Sequence, residues 1–204
     1  CASYPEGKYD YGQIGIGSCL SGPVEVHFSE GQEGIQLLLT NSNPYSIFSG
    51  GSFMAIPWES VLEGIEDGRK ELLVGELGAP GSAVAGPQVM PLPSYAAPIA
   101  VADDLAMIGV RYSDGARTRE QEDDIYLYDI SNPSEIVESD RGTGGSNRLT
   151  AKSDPVDLVY DPSSGLAFVA NRTSHDISVV DVSGDEVRII SPWPSEVVGT
   201  VDFD

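Results

Sequence analysis

The chain has 204 residues, 40% of them hydrophobic and 8% aromatic, with 23 Gly and 14 Pro. That composition is enough to build a buried core and argues against general disorder, while its glycine and proline point to many turns, as in an all-β protein. Thirty-two acidic against eleven basic residues leave a formal charge of −21; such a field repels nucleic acid and anionic lipid headgroups, which excludes a nucleic-acid partner, and no apolar run approaches the ~18–20 residues of a membrane-spanning helix.

Residues 1–21 are rich in Gly, Pro and Tyr, show little core periodicity and read as a tether. A chain opening on "CASYPEG" resembles a bacterial lipoprotein after removal of its signal peptide. The resemblance implies a lipid-anchored protein of the bacterial cell envelope, on the periplasmic face or the outer surface. Cys1 then carries a diacylglycerol on its sulfur, and two or three acyl chains anchor stably where one is marginal. A Cys1–Cys19 disulfide in an oxidising compartment, or a chain cut arbitrarily at a cysteine, are the alternatives. With Cys1 lipidated, Cys19 is a lone thiol buried among the first strands.

Beyond the tether, residues 22–204 contain three diverged copies of one pattern. The first, 22–74, starts at Gly22-Pro23 and holds "IQLLLT" and "SFMAIPWE", with "KELLVGEL" as a fourth strand. Residues 75–96 follow as a Pro- and Gly-rich insertion or strap with little periodicity. The second copy, 97–140, starts at Ala97-Pro98 and holds "LAMIGVRY", "IYLYDIS" and "SEIVESD". The third, 154–191, starts at Asp154-Pro155 and holds "LAFVANR", "ISVVDVS" and "DEVRIIS". Proline suits the start of a strand, where no ladder donor is needed. The near-continuous apolar second strands imply burial on both faces, as in sheets stacked between neighbours. Residues 197–204, "VVGTVDFD", read as the first strand of a further copy.

The third copy, "PVDLVYDPSSGLAFVANRTSHDISVVDV", resembles the YVTN-type β-propeller repeat: Pro, a hydrophobic strand, Asp-Pro-x-x-Gly, a strand ending near Val-Ala-Asn, a polar hairpin and a Val-Val-Asp strand. The match is weaker in the second copy and weakest in the first, where "SEGQEG" replaces the Asp-Pro-x-x-Gly turn but Asn41 stands where Asn171 does. The resemblance implies an all-β, partial β-propeller of about three four-stranded blades, the remainder lying outside this chain or supplied by a partner, because propellers close with typically four to eight blades. A three-sheet sandwich closing on itself is the alternative.

Chemistry-bearing residues are sparse. Two Cys and two His, far apart in sequence, make no zinc pattern, and neither a Cys-x-x-Cys-His haem motif nor a phosphate-cradling loop occurs. His175 stands beside Asp176 in the third copy's hairpin, an arrangement a general acid–base pair uses, but one that a polar hairpin also carries for its own sake. His27 reads as a core or interface histidine. The densest acidic loop offers Glu120, Glu122, Asp123 and Asp124 as candidate calcium ligands, since hard cations take several carboxylate oxygens. The Asp161–Gly165 turn reads as structural, with Gly165 at a positive-φ position. Tyr4, Tyr9, Tyr11 and Trp193 are candidate partner anchors.

These observations lead to an expectation of a non-catalytic protein-interaction or scaffold module in a membrane-associated assembly. The alternatives are a propeller enzyme, an oxidoreductase or hydrolase with its site in other blades, and a surface glycan or cation binder. Apolar, small inner strands lean away from catalysis.

Overall fold

The computed structural model describes residues 23–31, 34–42, 51–68, 88–92, 95–111, 124–132, 135–152 and 154–192. They are mostly β-structure, arranged as three antiparallel sheets with one short helix. The first sheet runs β1 (Pro23–Gly31), β2 (Gly34–Asn41), β3 (Ser52–Pro57), then helix α1 (Trp58–Glu66), then β4 (Gln88–Pro91). The second comprises β5 (Tyr95–Ala102), β6 (Leu105–Arg111), β7 (Asp124–Asp129), β8 (Val137–Glu138) and β9 (Arg148–Thr150). The third comprises β10 (Pro155–Asp161), β11 (Leu166–Asn171), β12 (Asp176–Asp181) and β13 (Arg188–Pro192). The first and third are up-and-down meanders in chain order, the second is one as far as β8 with β9 returning to pair with β7, and none closes on itself.

The sheets share local detail that the sequence pattern only hinted at. In all three, the ladder between the first two strands skips beside the leading proline: between Pro23 and Glu25, between Ala96 and Ile99, and between Pro155 and Asp157. Proline donates no hydrogen bond, so the skip falls where the ladder has least to lose. The third strands of the second and third sheets end alike. Asp129 accepts the Ser131 amide at 2.9 Å and Asp181 accepts the Ser183 amide at 3.1 Å. The residue between them donates to the first hairpin of its own sheet, Ile130 to the Asp104 carbonyl at 2.8 Å and Val182 to the Gly165 carbonyl at 2.9 Å. These Asx-type bonds end the strand by giving the backbone a local acceptor.

The Asp161 turn forms as its residues require. Its carboxylate accepts the Ser163 amide at 3.0 Å and the Ser163 and Ser164 hydroxyls at 2.8 Å. Gly165 takes φ +68°, and a Cβ there would lie 2.8 Å from the Ser183 Cβ.

The fourth strands differ from expectation. The stretch "KELLVGEL" lies outside the described residues, and the strand that pairs with β3 is β4, from within the supposed insertion 75–96. "SFMAIPWE" is a strand only to Pro57; Trp58, Val61, Leu62 and Ile65 then follow at helical spacing and form α1. In the second sheet the outer position is shared by two short pieces, β8 and β9, which pair with opposite ends of β7. Gly142–Ser146 bridging closes the turn between them.

Packing places the second sheet between the other two. Leu38, Phe53, Ala55 and Leu92 of the first sheet meet Ile99, Ala106, Ile108, Val110 and Tyr128 of the second. On its other face Ala100, Met107, Leu127 and Leu149 meet Leu158, Ala167, Val169 and Val180 of the third. Helix α1 covers the outer side of the first sheet through Val61 and Trp58 against Leu39, Met54 and Ile56. The first strands come together, with β5 lying against both β1 and β10. Gly109 of β6 is needed for that approach: a Cβ there would stand 2.7 Å from Pro98 Cγ and 3.3 Å from Pro155 Cβ.

Candidate functional site

The feature that stands out is an apolar face on the first strand. Alternation along β1 turns Val24, Val26 and Phe28 to the outer side of the first sheet. Helix α1 reaches only part of that side, so these residues stay 52%, 58% and 57% exposed. Phe28 touches Trp58 edge-to-face at 5.3 Å, which fixes the ring at the boundary between bare strand and helix. Leu62 and Ile65 of α1 are exposed as well. Exposed Glu30, Glu59 and Glu66 lie on the same two elements. An exposed run of aromatic and branched residues on elements that also carry exposed carboxylates has the anatomy of a docking surface.

The opposite side of β1 turns inward. Glu25 accepts the Ile99 amide at 3.0 Å, joining the first strands of two sheets. Burial raises its pKa above the usual carboxylate range, offset in part by that hydrogen bond, and the charges of Asp157 and His27 also act on it. The negative charge of Asp157, on β10, adds to the rise. The reading of those strands as apolar and small missed the Glu25–Ile99 link, because Glu25, like Asp157, sits singly among apolar residues. Their equal place after the leading proline was the available signal.

Few of the other sequence candidates fall among the described residues. Asp124 opens β7, is buried and forms an ion pair with Arg148 at 3.6 Å. Glu120, Glu122 and Asp123 lie outside the described residues, as do Cys1, Cys19, Tyr4, Tyr9, Tyr11, Trp193 and 197–204. Among the described residues no three His, Cys, Asp or Glu side chains are grouped to hold a metal ion. Nor is any helix among them long and apolar enough to cross a membrane. His175 is exposed at the hairpin with φ +54°. Its neighbour Asp176 accepts from Asn171 Nδ2 and Ser174 Oγ, both at 2.9 Å, and so closes the turn. His27 is half-buried on β1, on the side facing the second sheet.

Sequence reading also passed over Asp154, taken only as the residue before a proline. It is buried with φ +67°. Its carboxylate accepts Arg111 Nη1 at 2.9 Å, Arg172 Nε at 2.8 Å and Thr173 Oγ1 at 3.2 Å, tying the end of β6 to the β11–β12 hairpin. Burial alone would raise its pKa, but the two guanidiniums outweigh that and hold the carboxyl below its usual range.

Comparison of the sequence with protein-family models and with curated proteins yields no match.

Proposed function

We propose that this protein is a non-catalytic interaction module, its three sheets being consecutive blades of a propeller-type array and its β1–α1 face the docking surface for a protein partner in a cell-envelope assembly. Support for the array comes from the meander order of each sheet, the shared skip beside the leading proline, and the adjacency of β1, β5 and β10. The observation that carries the docking reading is the bare run Val24, Val26 and Phe28 beside Trp58. The partner's chemistry follows from that surface: an apolar ridge to fill the strip, with Lys or Arg to meet the exposed carboxylates of β1 and α1 and a chain of −21. An acyl anchor on Cys1 would hold this face at a membrane surface.

The test is a photo-crosslinking residue at Val26 in the full chain, irradiated in envelope membranes from the source cells. The expected product is one heterologous protein adduct, weakened by added salt and lost when Phe28 is changed to Asp. An irradiated chain that stays unmodified, or links only to itself, would overturn the docking reading. Intact mass of the isolated chain checks the acyl group on Cys1.

A further inference from the structure

The first strand of each sheet lies at a sheet edge, and the three edges are not treated alike. Alternate residues of an edge strand turn their backbone N–H and C=O away from the ladder. On β5 the outward amide of Ile99 donates to the Glu25 carboxylate at 3.0 Å. On β10 the Leu158 amide donates to the carboxylate of Asp157 beside it at 2.9 Å. A carboxylate set on an edge amide occupies the donor that an incoming strand would need, and charged side chains of this kind keep sheet edges from pairing.

Strand β1 lacks that cover. Its ladder with β2 ends at Gly31 opposite Gly34, as the β5–β6 ladder ends at Ala102 opposite Leu105, each across two residues. Phe28 stands three pairs before that end, as Ile99 does, so its amide faces outward, and so does that of Val26 two residues earlier. No strand or side chain among the described residues bonds to either amide. At nine residues β1 is the longest of the described strands, and Val26 and Phe28 also carry its exposed apolar side chains. The opposite row of β1 holds Glu25, His27 and Ser29, with Glu25 under the repulsion of Asp157.

We infer that the partner adds an extended strand to the open edge of β1, its apolar side chains continuing the row of Val26 and Phe28 and its alternate Lys or Arg side chains lying beside Glu25. This rests on the docking reading above and names the conformation of the partner. A run of outward backbone donors and acceptors is matched by another extended backbone, whereas a helix has already closed its own bonds. The alternating cations follow from cross-strand charge pairing with Glu25, which already meets repulsion from Asp157. A second copy of β1 is the poorer occupant, since it would add another charge of −21 at the same edge.

The experiment titrates the full chain with an acetylated, amidated peptide of four Lys-Val repeats and follows amide hydrogen exchange residue by residue. The expected result is binding that weakens with salt and slows exchange of the Val26 and Phe28 amides by about tenfold or more at saturation. A peptide of four Glu-Val repeats should give no protection. Val26→Pro removes the outward N–H and spares the ladder with β2, so it should weaken binding about tenfold more than Val26→Ala does. If the proline variant does not fold, the exchange pattern of the wild-type chain decides. Absence of binding would overturn the inference, as would binding that leaves the two amides unprotected, or equal losses in the proline and alanine variants. Protection that appears without peptide and grows with chain concentration would show a second copy at the edge and overturn it too. Failure here with a heterologous adduct still formed at Val26 would leave the docking reading standing.

Discussion

The second and third sheets share their hydrogen-bonding plan and differ in what surrounds them. Their middle strands, β6 "LAMIGVR" and β11 "LAFVAN", read almost alike. Yet β6 is buried on both sides from Leu105 to Val110, whereas β11 alternates between buried and half-buried residues. Local sequence chose the strand; the neighbour decided the burial. Hydrophobic stabilisation follows the area taken from water, so similar side chains should be worth very different amounts in the two sheets.

Variants that open the core between sheets should show this most strongly. Leu127→Ala, at a fully buried position of β7, should cost about 2–5 kcal/mol in urea unfolding. Val159→Ala on the third sheet's outer face should cost about 1 kcal/mol or less. Equal losses at the two positions would break the comparison. Gly109→Val comes next, at about 1–3 kcal/mol, because the new side chain must displace Pro98 and Pro155 where the second and third sheets meet.

Asp154→Asn should cost about 1–2 kcal/mol, since Arg111 and Arg172 lose a charged acceptor but remain partly in water. It should also change the pH dependence. With its folded pKa held low, the carboxylate contributes stability that is present above its unfolded value near 4 and is lost as pH falls through the folded pKa. The wild-type chain should therefore lose more stability than the Asn variant on acidification below about pH 4. An identical acid limb would show that the cluster carries no differential charge interaction. The smallest pair sharpens the comparison from the other side. Asp129→Ala and Asp181→Ala remove the same strand-ending bond from the two sheets and should each cost about 0.5–1.5 kcal/mol.

Residues whose conformational demands are local were the most legible in the sequence. Pro23 and Pro155 open their strands, Pro98 lies at the ladder skip inside β5, which starts earlier at Tyr95, and the Asp161–Gly165 turn forms as its residue types require. The outer strands were not legible, because they are short and take their place from β3 and β7. Three-residue β9 has no period to read, and the Gly-rich turn before it looks like a linker. Helix α1 had a signal, Trp58, Val61, Leu62 and Ile65, that was hidden by continuing the preceding strand through Pro57. The docking face was hidden differently. Val24, Val26 and Phe28 look like any core strand until it is known that the helix stops short of them. The charge of Asp157 reaches Glu25 only because β5 lies against both β1 and β10.

The central claim is that, among the described residues, the second sheet is covered by another sheet on both faces and the other two on one. Amide hydrogen exchange of the whole chain, resolved strand by strand, tests it most directly, because enclosed elements open only with global unfolding and terminal ones open separately. The account predicts that β6 and β7 exchange slowest and that β11 and β12 exchange faster. Equal or greater protection of β11 and β12 would contradict it, and would mean that the third sheet is enclosed as fully as the second.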